Sequence, residues 1–230
     1  MKTIGLLGGM SWESSAHYYR VMNEAVQQHL GGLHSAKILM NSVDFAPFRK
    51  QMLAGDWEGI GERLARAAQV LEQGGADLLV IGTNTMHMVA PTVAAAVDIP
   101  LLHIADATAE VARKKGARTL GLLGTRFTME ERFYIDRLTE HGMEVVVPSE
   151  QDRSFIDAVI FDELCKGRFT RDSRQEFLRI IDELASNGAD AAILGCTEIG
   201  LLVNQDDTSV TLLDTCVIHA RQAVERAVSS

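Results

Sequence analysis

The stretch TIGLLG at residues 3–8 returns as TLGLLG at residues 119–124, 116 positions (119 − 3) further along the chain. Two further matches follow in the same order: GADLLVIG at 75–82 recurs as GADAAILG at 188–195, an offset of 113 (188 − 75), and Leu101-Leu102 recurs more weakly as Leu212-Leu213, an offset of 111 (212 − 101). Because three segments keep their order at similar offsets, the chain is predicted to contain two copies of one structural unit.

Each copy alternates short apolar segments with longer segments of helical periodicity. Continuous apolar runs such as Leu78–Gly82 are typical of strands that are buried on both faces. Apolar residues at three- and four-residue spacing predict helices, for example over Trp12–Leu30 and Trp57–Gln73. The predicted strands cover 3–7, 37–43, 77–82, 101–104, 118–123, 143–147, 189–194 and 210–213. In addition, the capping-box pattern TMEE at 128–131 predicts a helix that runs to Gly142.

Strands that are joined by helical crossovers indicate the α/β class, with parallel sheets covered by helices. We expect two similar Rossmann-like lobes related by pseudo-twofold symmetry. The expected first lobe is 1–104 plus 214–230, the second is 105–213, and the active site lies in the cleft between them. Since no Pro/Ser-rich linker separates the copies, we expect the lobes to pack together.

Composition narrows the range of partners. With 31 acidic against 22 basic side chains, the net charge is −9, which argues against binding to nucleic acid or to an anionic membrane. The apolar runs are much shorter than a bilayer span, and no basic leader precedes the first strand, so we expect a cytoplasmic protein. The three cysteines, Cys165, Cys196 and Cys216, show no CxxC spacing, which favours reduced thiols over disulfides or a metal site.

Small polar residues follow the repeated strand in both copies. The aligned pairs after Gly82 and Gly195 are Thr83 with Cys196, Asn84 with Thr197, and Thr85 with Glu198. Ligands of open parallel sheets bind beyond the carboxyl ends of the strands. We therefore expect Thr83 and Cys196 on opposite walls of one cleft, where a proton can leave one face of a carbon and return to the other.

Four stretches in order carry a resemblance to a known family: GLLGGMS at 5–11, TNTMH at 83–87, LGTRFTM at 123–129 and GCTE at 195–198. Together they resemble the aspartate/glutamate racemase family over nearly the whole chain. The resemblance implies an amino-acid racemase of two α/β lobes that needs no cofactor and forms a homodimer. It implies catalytic residues at Thr83 and Cys196.

The resemblance also implies how the substrate is held. The implied contacts to the α-carboxylate are Asn84, Thr85 and Thr197, and the implied closing loops carry Met10, Ser11, Thr125, Phe127 and Thr128. Glu198 is a further site position, and Arg49 and Lys166 are candidates for binding an acidic side chain. The preferred amino acid is left open.

Thr83 departs from the commoner family pattern, which has a cysteine at this position, although threonine also occurs in one enterobacterial-type branch. The pKa of a thiol, ordinarily ~8.5, can be lowered until the thiolate is present at neutral pH, whereas the pKa of a hydroxyl cannot be lowered that far. We expect Cys196 to take the α-proton and Thr83, alone or through a water, to return one. The direction that starts at Cys196 should then be faster.

Several of these residues also allow interpretations unrelated to catalysis. Cys165 and Cys216 are interpreted as core residues, and His87 and His103 as structural. Thr83 has the alternative role of a helix N-cap. Glu198 either orients the thiol or caps the following turn, and Arg126 is interpreted as a surface or loop-anchoring residue.

Three other functions compete with racemisation. The loop at 5–9 lacks the G-x-G-x-x-G spacing of dinucleotide-binding folds, and no acidic residue ends the next strand at the usual distance. A decarboxylase or a cis–trans isomerase of small dicarboxylates would fit the same scaffold. A protein that binds an amino acid without reacting is the third alternative, and the retained Cys196 argues against it.

Overall fold

The computed structural model describes residues 1–229, and the chain divides into two compact units. The first contains Met1–Ile104 and the segment from His219 onward, and the second is Ala105–Ile218. Each unit has a four-stranded parallel sheet, with order β2-β1-β3-β4 in the first and β6-β5-β7-β8 in the second. The predicted α/β class is confirmed, and both copies have the same strand order. Within residues 1–229, no helix is both long and apolar enough to cross a membrane.

The strands and helices follow the predicted alternation. The strands are β1 (Ile4–Gly8), β2 (Ile38–Ser42), β3 (Leu78–Ile81), β4 (Leu101–Leu102), β5 (Thr119–Gly124), β6 (Glu144–Val146), β7 (Ala191–Gly195) and β8 (Thr211–Asp214). The helices are α1 (Trp12–Leu30), α2 (Phe45–Ala54), α3 (Trp57–Gln73), α4 (Ala90–Ala94), α5 (Ile104–Lys114), α6 (Arg126–Glu130), α7 (Arg132–Glu140), α8 (Glu150–Asp162), α9 (Arg171–Ser186), α10 (Ile199–Leu202) and α11 (Thr215–Val228). Short 3₁₀ helices cover Thr85–Val89, Leu164–Lys166 and Gln205–Asp207.

The inner strands form the centre of each core. Every residue of β1, β3 and β7 is buried, as the continuous apolar runs predict for strands covered on both faces. Strands β2 and β6, at the sheet edges, are only partly buried. The carboxyl ends of the inner strands therefore emerge from the middle of each unit.

The turn between β1 and α1 requires glycine at position 9. Gly9 has φ +87°, a conformation that L side chains rarely adopt. A Cβ atom at this position would lie 2.2 Å from the carbonyl oxygen of Val43. Only glycine lets the chain pass this close to the end of β2.

The C-terminal helix packs into the first unit. Tyr18 Oη lies 2.9 Å from His219 Nδ1, and His219 Nε2 lies 2.9 Å from the carbonyl oxygen of Leu102. At the other end of α11, the backbone N–H of Lys2 donates to the carbonyl of Ala227 at 2.8 Å. These contacts hold α11 against α1 and the end of β4.

The predicted helix from Thr128 to Gly142 is wrong. The first helix after β5 begins at Arg126, because Thr125 occupies its N-cap and accepts from the backbone N–H of Thr128 at 3.3 Å. At Glu131 the backbone is extended, with φ −85° and ψ 147°, and α7 begins at the next residue. The cap thus lies three residues earlier than the capping-box pattern indicates, and the segment forms two helices.

Candidate active site

Thr83 and Cys196 occupy equivalent places in the two sheets. Thr83 follows Gly82 at the carboxyl end of β3, and Cys196 follows Gly195 at the carboxyl end of β7. Both strands are inner strands, with a neighbour on each side. The two residues are buried, with exposed fractions of 9% and 8%. The structure therefore places each residue at the carboxyl ends of the strands of a parallel sheet, where ligands bind in this fold class.

Buried polar side chains follow Thr83. Asn84 and Thr85 are both buried, and Asn84 rather than Thr83 stands at the N-cap position of the 3₁₀ helix Thr85–Val89. Burying polar groups costs free energy unless they are hydrogen-bonded or serve a ligand. Their position at the end of β3 fits the predicted substrate-binding role of Asn84 and Thr85.

His87 holds the backbone of the Thr83 loop. Its Nδ1 lies 2.8 Å from the carbonyl oxygen of Thr83, and its Nε2 accepts the backbone N–H of Ile104 at 3.2 Å. Because Nε2 accepts, the ring proton resides on Nδ1 and is donated to Thr83. The ring also contacts His103, with centroids 4.5 Å apart. This arrangement agrees with a structural interpretation of His87.

The loop after β1 lies beside the loop after β3. Met10 and Ser11 are buried, and the Ser11 hydroxyl accepts from the backbone N–H of Ser14 at 3.2 Å as the N-cap of α1. The Ser14 hydroxyl in turn donates to the carbonyl of Gly82 at 3.4 Å. The fold thus brings the loops after β1 and β3, both predicted to belong to the site, together at the carboxyl ends of their strands. Arg49 lies half-buried in α2, which follows the neighbouring strand β2.

Cys196, Thr197 and Glu198 form a compact hydrogen-bonded group. The Cys196 thiol donates to Glu198 Oε2 at 2.9 Å, and the Thr197 hydroxyl donates to the same oxygen at 2.9 Å. The Cys165 thiol lies 3.8 Å from the other oxygen, Oε1. Glu198 stands before α10 but makes no side-chain hydrogen bond to cap it. The carboxylate is thus directed at the thiol rather than at the start of α10, and its role in the site stays a prediction.

The surroundings of Cys196 favour its neutral form. Burial raises the pKa of the Cys196 thiol well above its ordinary value, and the negative charge of Glu198 raises the pKa further. A backbone hydrogen bond from Glu198 acts in the opposite direction.

The loop after β5 lies next to the end of β7. A Cβ atom on Gly195 would lie 2.6 Å from the carbonyl oxygen of Leu123 and 3.4 Å from Thr128 Cγ2, so glycine permits this close approach. Thr128 is fully buried and Phe127 is half-buried. Thr125, which caps α6, is also buried. The structure thus brings Thr125, Phe127 and Thr128 to the sheet edge from which Cys196 emerges.

Arg126 and Lys166 are both exposed, and each forms an ion pair. Arg126 is exposed and forms an ion pair with Glu130 at 3.0 Å, as expected for a surface anchor. Lys166 is exposed in the 3₁₀ helix Leu164–Lys166 and pairs with Asp162 at 3.3 Å. Cys165, the residue before Lys166, contacts Glu198.

Cys165 is the site neighbour that sequence reasoning missed. The sequence predicts a core residue, but Cys165 is only half-buried and its thiol contacts Glu198. The two residues are 33 positions apart in sequence, so no local pattern indicates the contact. Cys216, by contrast, is fully buried, which confirms its core interpretation. In the part of the chain that the structure describes, no group of three or more His, Cys, Asp or Glu side chains is arranged to hold a metal ion.

Comparison with known proteins identifies the family. Residues 7–223 match the family described as Asp/Glu/Hydantoin racemase. The chain belongs to this family. A crystal structure from Yersinia pestis, described as that of a candidate Asp/Glu racemase, is 48% identical, covers 99% of this chain and 100% of its own, and has a TM-score of 0.91. The crystal structure of an aspartate racemase homologue from Pyrococcus horikoshii OT3 is 36% identical, with 99% of each chain covered and a TM-score of 0.86.

A more distant relative is named as a racemase of wide substrate range. The broad specificity amino-acid racemase RacX of Bacillus subtilis (strain 168) is 21% identical over 230 residues, which are 96% of each chain. The resemblance stated from the sequence motifs is thereby confirmed, and so is the class of enzyme, an isomerase that acts on amino acids. The roles of the individual site residues and the pairing of the two units across a cleft stay predictions.

Proposed function

We propose that the protein racemises an amino acid without pyridoxal phosphate or another cofactor, by proton transfer between Cys196 and Thr83. The observation that carries the proposal is the placement of a thiol and a hydroxyl directly after the equivalent inner strands β7 and β3. Family membership supports the reaction class. The short hydrogen bond between the thiol and a buried carboxylate supports a working thiol, since a filler cysteine needs no such partner.

In the proposed mechanism the two predicted lobes, 1–104 plus 214–230 and 105–213, enclose one cleft about a pseudo-twofold axis. Cys196, as thiolate, takes the proton from the α-carbon on one face. The carbon flattens into a carbanion next to the carboxylate, and Thr83, alone or through a water, delivers a proton to the other face. The configuration inverts because the two protons use opposite faces.

The two reaction directions differ in the group that begins them. A hydroxyl is a much weaker acid than a thiol, so Thr83 is a poor base for the first step. The direction that starts with proton removal by Cys196 is therefore the faster one.

The proposed substrate is aspartate, glutamate or a broader set of amino acids. Asn84, Thr85 and Thr197 supply donors for the α-carboxylate at the ends of β3 and β7. The proposed cations for an acidic side chain are Arg49 and Lys166, and the proposed loop walls are Met10, Ser11, Thr125, Phe127 and Thr128. Glu198 belongs to the same site through its contact with Cys196.

We also propose that the protein is a cytoplasmic homodimer. Large apolar side chains are exposed on and beside α1, with exposed fractions of 69% for Trp12, 56% for Tyr19 and 102% for Leu33. Trp12 and Tyr19 are seven residues apart and share one face of the helix. Such exposed apolar side chains support association with a second copy.

The test is racemisation of a panel of L- and D-amino acids, without added pyridoxal phosphate, followed by chiral chromatography. We expect Cys196→Ser to lose turnover and Cys216→Ala, which removes a fully buried thiol elsewhere in the second unit, to keep it. Absence of racemisation with every amino acid would remove the racemase function, and release of CO₂ or cis–trans isomerisation of a dicarboxylate would replace it by the alternatives. Full turnover by Cys196→Ser would remove the role of the thiol alone.

A further inference from the structure

We propose that His87 is a positioning residue for Thr83, and that its Nδ1–H group fixes the hydroxyl for the step in which Thr83 returns a proton to the substrate. The inference rests on the proposed function, in which Thr83 and Cys196 act on opposite faces of one carbon. It gives His87 a part in one half of the reaction, beyond that of fastening a loop.

Both backbone groups of Thr83 are hydrogen-bonded. Its N–H donates to the carbonyl of Ile81 at 2.9 Å, and its carbonyl accepts from His87 Nδ1 at 2.8 Å. The peptide planes on either side of Thr83 are thereby fixed. Threonine is branched at Cβ, which restricts rotation about χ1. The direction of the hydroxyl therefore follows the backbone, and the bond from His87 is one of the two that set it.

The His87 ring is itself held at its far edge. Its Nε2 accepts the backbone N–H of Ile104 at 3.2 Å, just after β4. The end of β4 is fixed in turn by His219, whose Nε2 lies 2.9 Å from the carbonyl oxygen of Leu102. Both histidines are buried, with exposed fractions of 2% for His87 and 0% for His219. Because both ring nitrogens of His87 are engaged, the Nδ1–H group cannot turn away from Thr83 without breaking the bond to Ile104.

The second unit holds its equivalent loop without a side chain of this kind. The offset of 113 (200 − 87) places Gly200 at the position equivalent to His87. A Cβ atom on Gly200 would collide with the carboxylate of Asp214, so the second unit has no room for a side chain there. The carbonyl of Cys196 instead accepts from the backbone N–H of Ile199 at 3.0 Å. A substitution at His87 therefore changes how the first unit holds its loop and leaves this turn of the second unit intact.

This difference between the units has a consequence for the order of proton transfers. In the direction that starts at Cys196, the α-C–H bond breaks, an S–H bond forms, and the electron pair stays on the carbon. The O–H bond of Thr83 then breaks as a new C–H bond forms on the other face. Thr83 recovers a proton from solvent and the thiol releases one, so no other reactant is consumed. Misplacing the Thr83 hydroxyl slows the second transfer and not the first.

Isotope effects report which transfer limits the rate. In the unchanged protein we expect proton removal to be limiting, so that an α-deuterated substrate reacts more slowly than the protiated one. When the second transfer is slowed, the carbanion returns to substrate many times before it is trapped. The α-deuterium effect then falls toward one, and the solvent effect of deuterated water rises. Partial unfolding lowers the rate with every isotope equally, so it changes neither ratio.

The variants His87→Asn and His87→Gln divide the two hydrogen bonds of the ring. Asparagine places an N–H group where Nδ1 of histidine lies, whereas glutamine places its amide where Nε2 lies. We expect His87→Gln to lower kcat about 10- to 100-fold with KM nearly unchanged, because small errors in position are costly in proton transfer. We also expect it to lower the α-deuterium effect and raise the solvent effect. His87→Asn should keep both isotope effects of the unchanged protein.

The matched control is His29→Gln. His29 Nδ1 lies 2.8 Å from the carbonyl oxygen of Ala25, four residues earlier, which is the same bond at the same spacing in the last part of α1. This variant should leave both isotope effects unchanged. A second variant, Thr83→Ser, keeps the hydroxyl but loses the branched Cβ. It should shift the isotope effects in the same direction as His87→Gln while His87 stays in place.

The outcomes separate this inference from the proposed function. Racemisation by the unchanged protein together with equal isotope effects in the unchanged protein and His87→Gln would overturn the role of His87 and leave the proposed function standing. A milder effect of His87→Gln than of His87→Asn would also overturn it, because the bond to Ile104 would then be the important one. Absence of racemisation in the unchanged protein would reject the proposed function and this inference with it.

Discussion

Replacement of Gly9 by alanine tests the turn that places the Met10-Ser11 loop. Alanine in a left-handed conformation costs roughly 1–2 kcal/mol, and the φ of Gly9 is +87°. The new Cβ would also lie 2.2 Å from the carbonyl oxygen and 2.5 Å from the nitrogen of Val43. These are backbone atoms, which cannot rotate away, and overpacking of this kind costs about 1–3 kcal/mol. We therefore expect Gly9→Ala to lower the free energy of unfolding by about 2–5 kcal/mol.

The matched control is Gly55→Ala, at the end of α2. Gly55 has φ +69°, but a Cβ atom there would meet no atom within 4 Å apart from those of its neighbours in the chain. Its cost should be the backbone cost alone, about 1–2 kcal/mol. The assay is urea unfolding followed by circular dichroism, with both variants measured together. Equal free energies of unfolding for the two variants, within about 0.5 kcal/mol, would refute the argument from the Val43 contact.

Three further predictions concern residues of the second unit. Phe177→Ala should lower the free energy of unfolding by about 3–5 kcal/mol, because the ring is fully buried; a loss below 1 kcal/mol in urea unfolding would contradict this. Arg137→Met should lower the free energy of unfolding by only about 0.5–1 kcal/mol. Arg137 donates to Asp106 at 2.6 and 2.8 Å, but the pair is partly exposed, so the loss should shrink further in 1 M salt. The folded state raises the pKa of Cys196. The neutral thiol therefore contributes to the free energy of unfolding below the unfolded pKa of ~8.5, and this contribution declines as the pH rises above that value. Thermal melts from pH 7 to 10 should show a smaller decline for Cys196→Ala, and identical declines would contradict the shift.

The sequence predicts the sheets well because burial on both faces leaves a local signature. Leu78–Gly82 contains only apolar residues and glycine, and the structure makes Leu78–Ile81 an inner strand. The repeat at 3–8 and 119–124 likewise predicts the same strand order in both units. These predictions depend on short-range patterns, which a single chain displays directly.

Contacts between distant segments leave no such signature. The direction of the Glu198 carboxylate is set by the fold around it, and its contact with Cys165 spans 33 residues. The break at Glu131 has no local signature either: Thr125 and Thr128 both have cap-forming hydroxyls, and in the structure Thr125 caps α6 while Thr128 is packed in the core. The candidate positions could be predicted from their place after the strands, whereas their hydrogen-bond partners could not.

Deuterium incorporation during the first turnovers tests the central claim, that two groups act on opposite faces of one carbon. An L-amino acid that the enzyme racemises is incubated in deuterated water, and both enantiomers are separated and analysed by mass spectrometry at low conversion. The account predicts one deuterium at the α-carbon of the D-product, while the remaining L-substrate stays protiated. Deuterium that enters the remaining substrate as fast as the product forms would contradict it, because a single group would then be serving both faces.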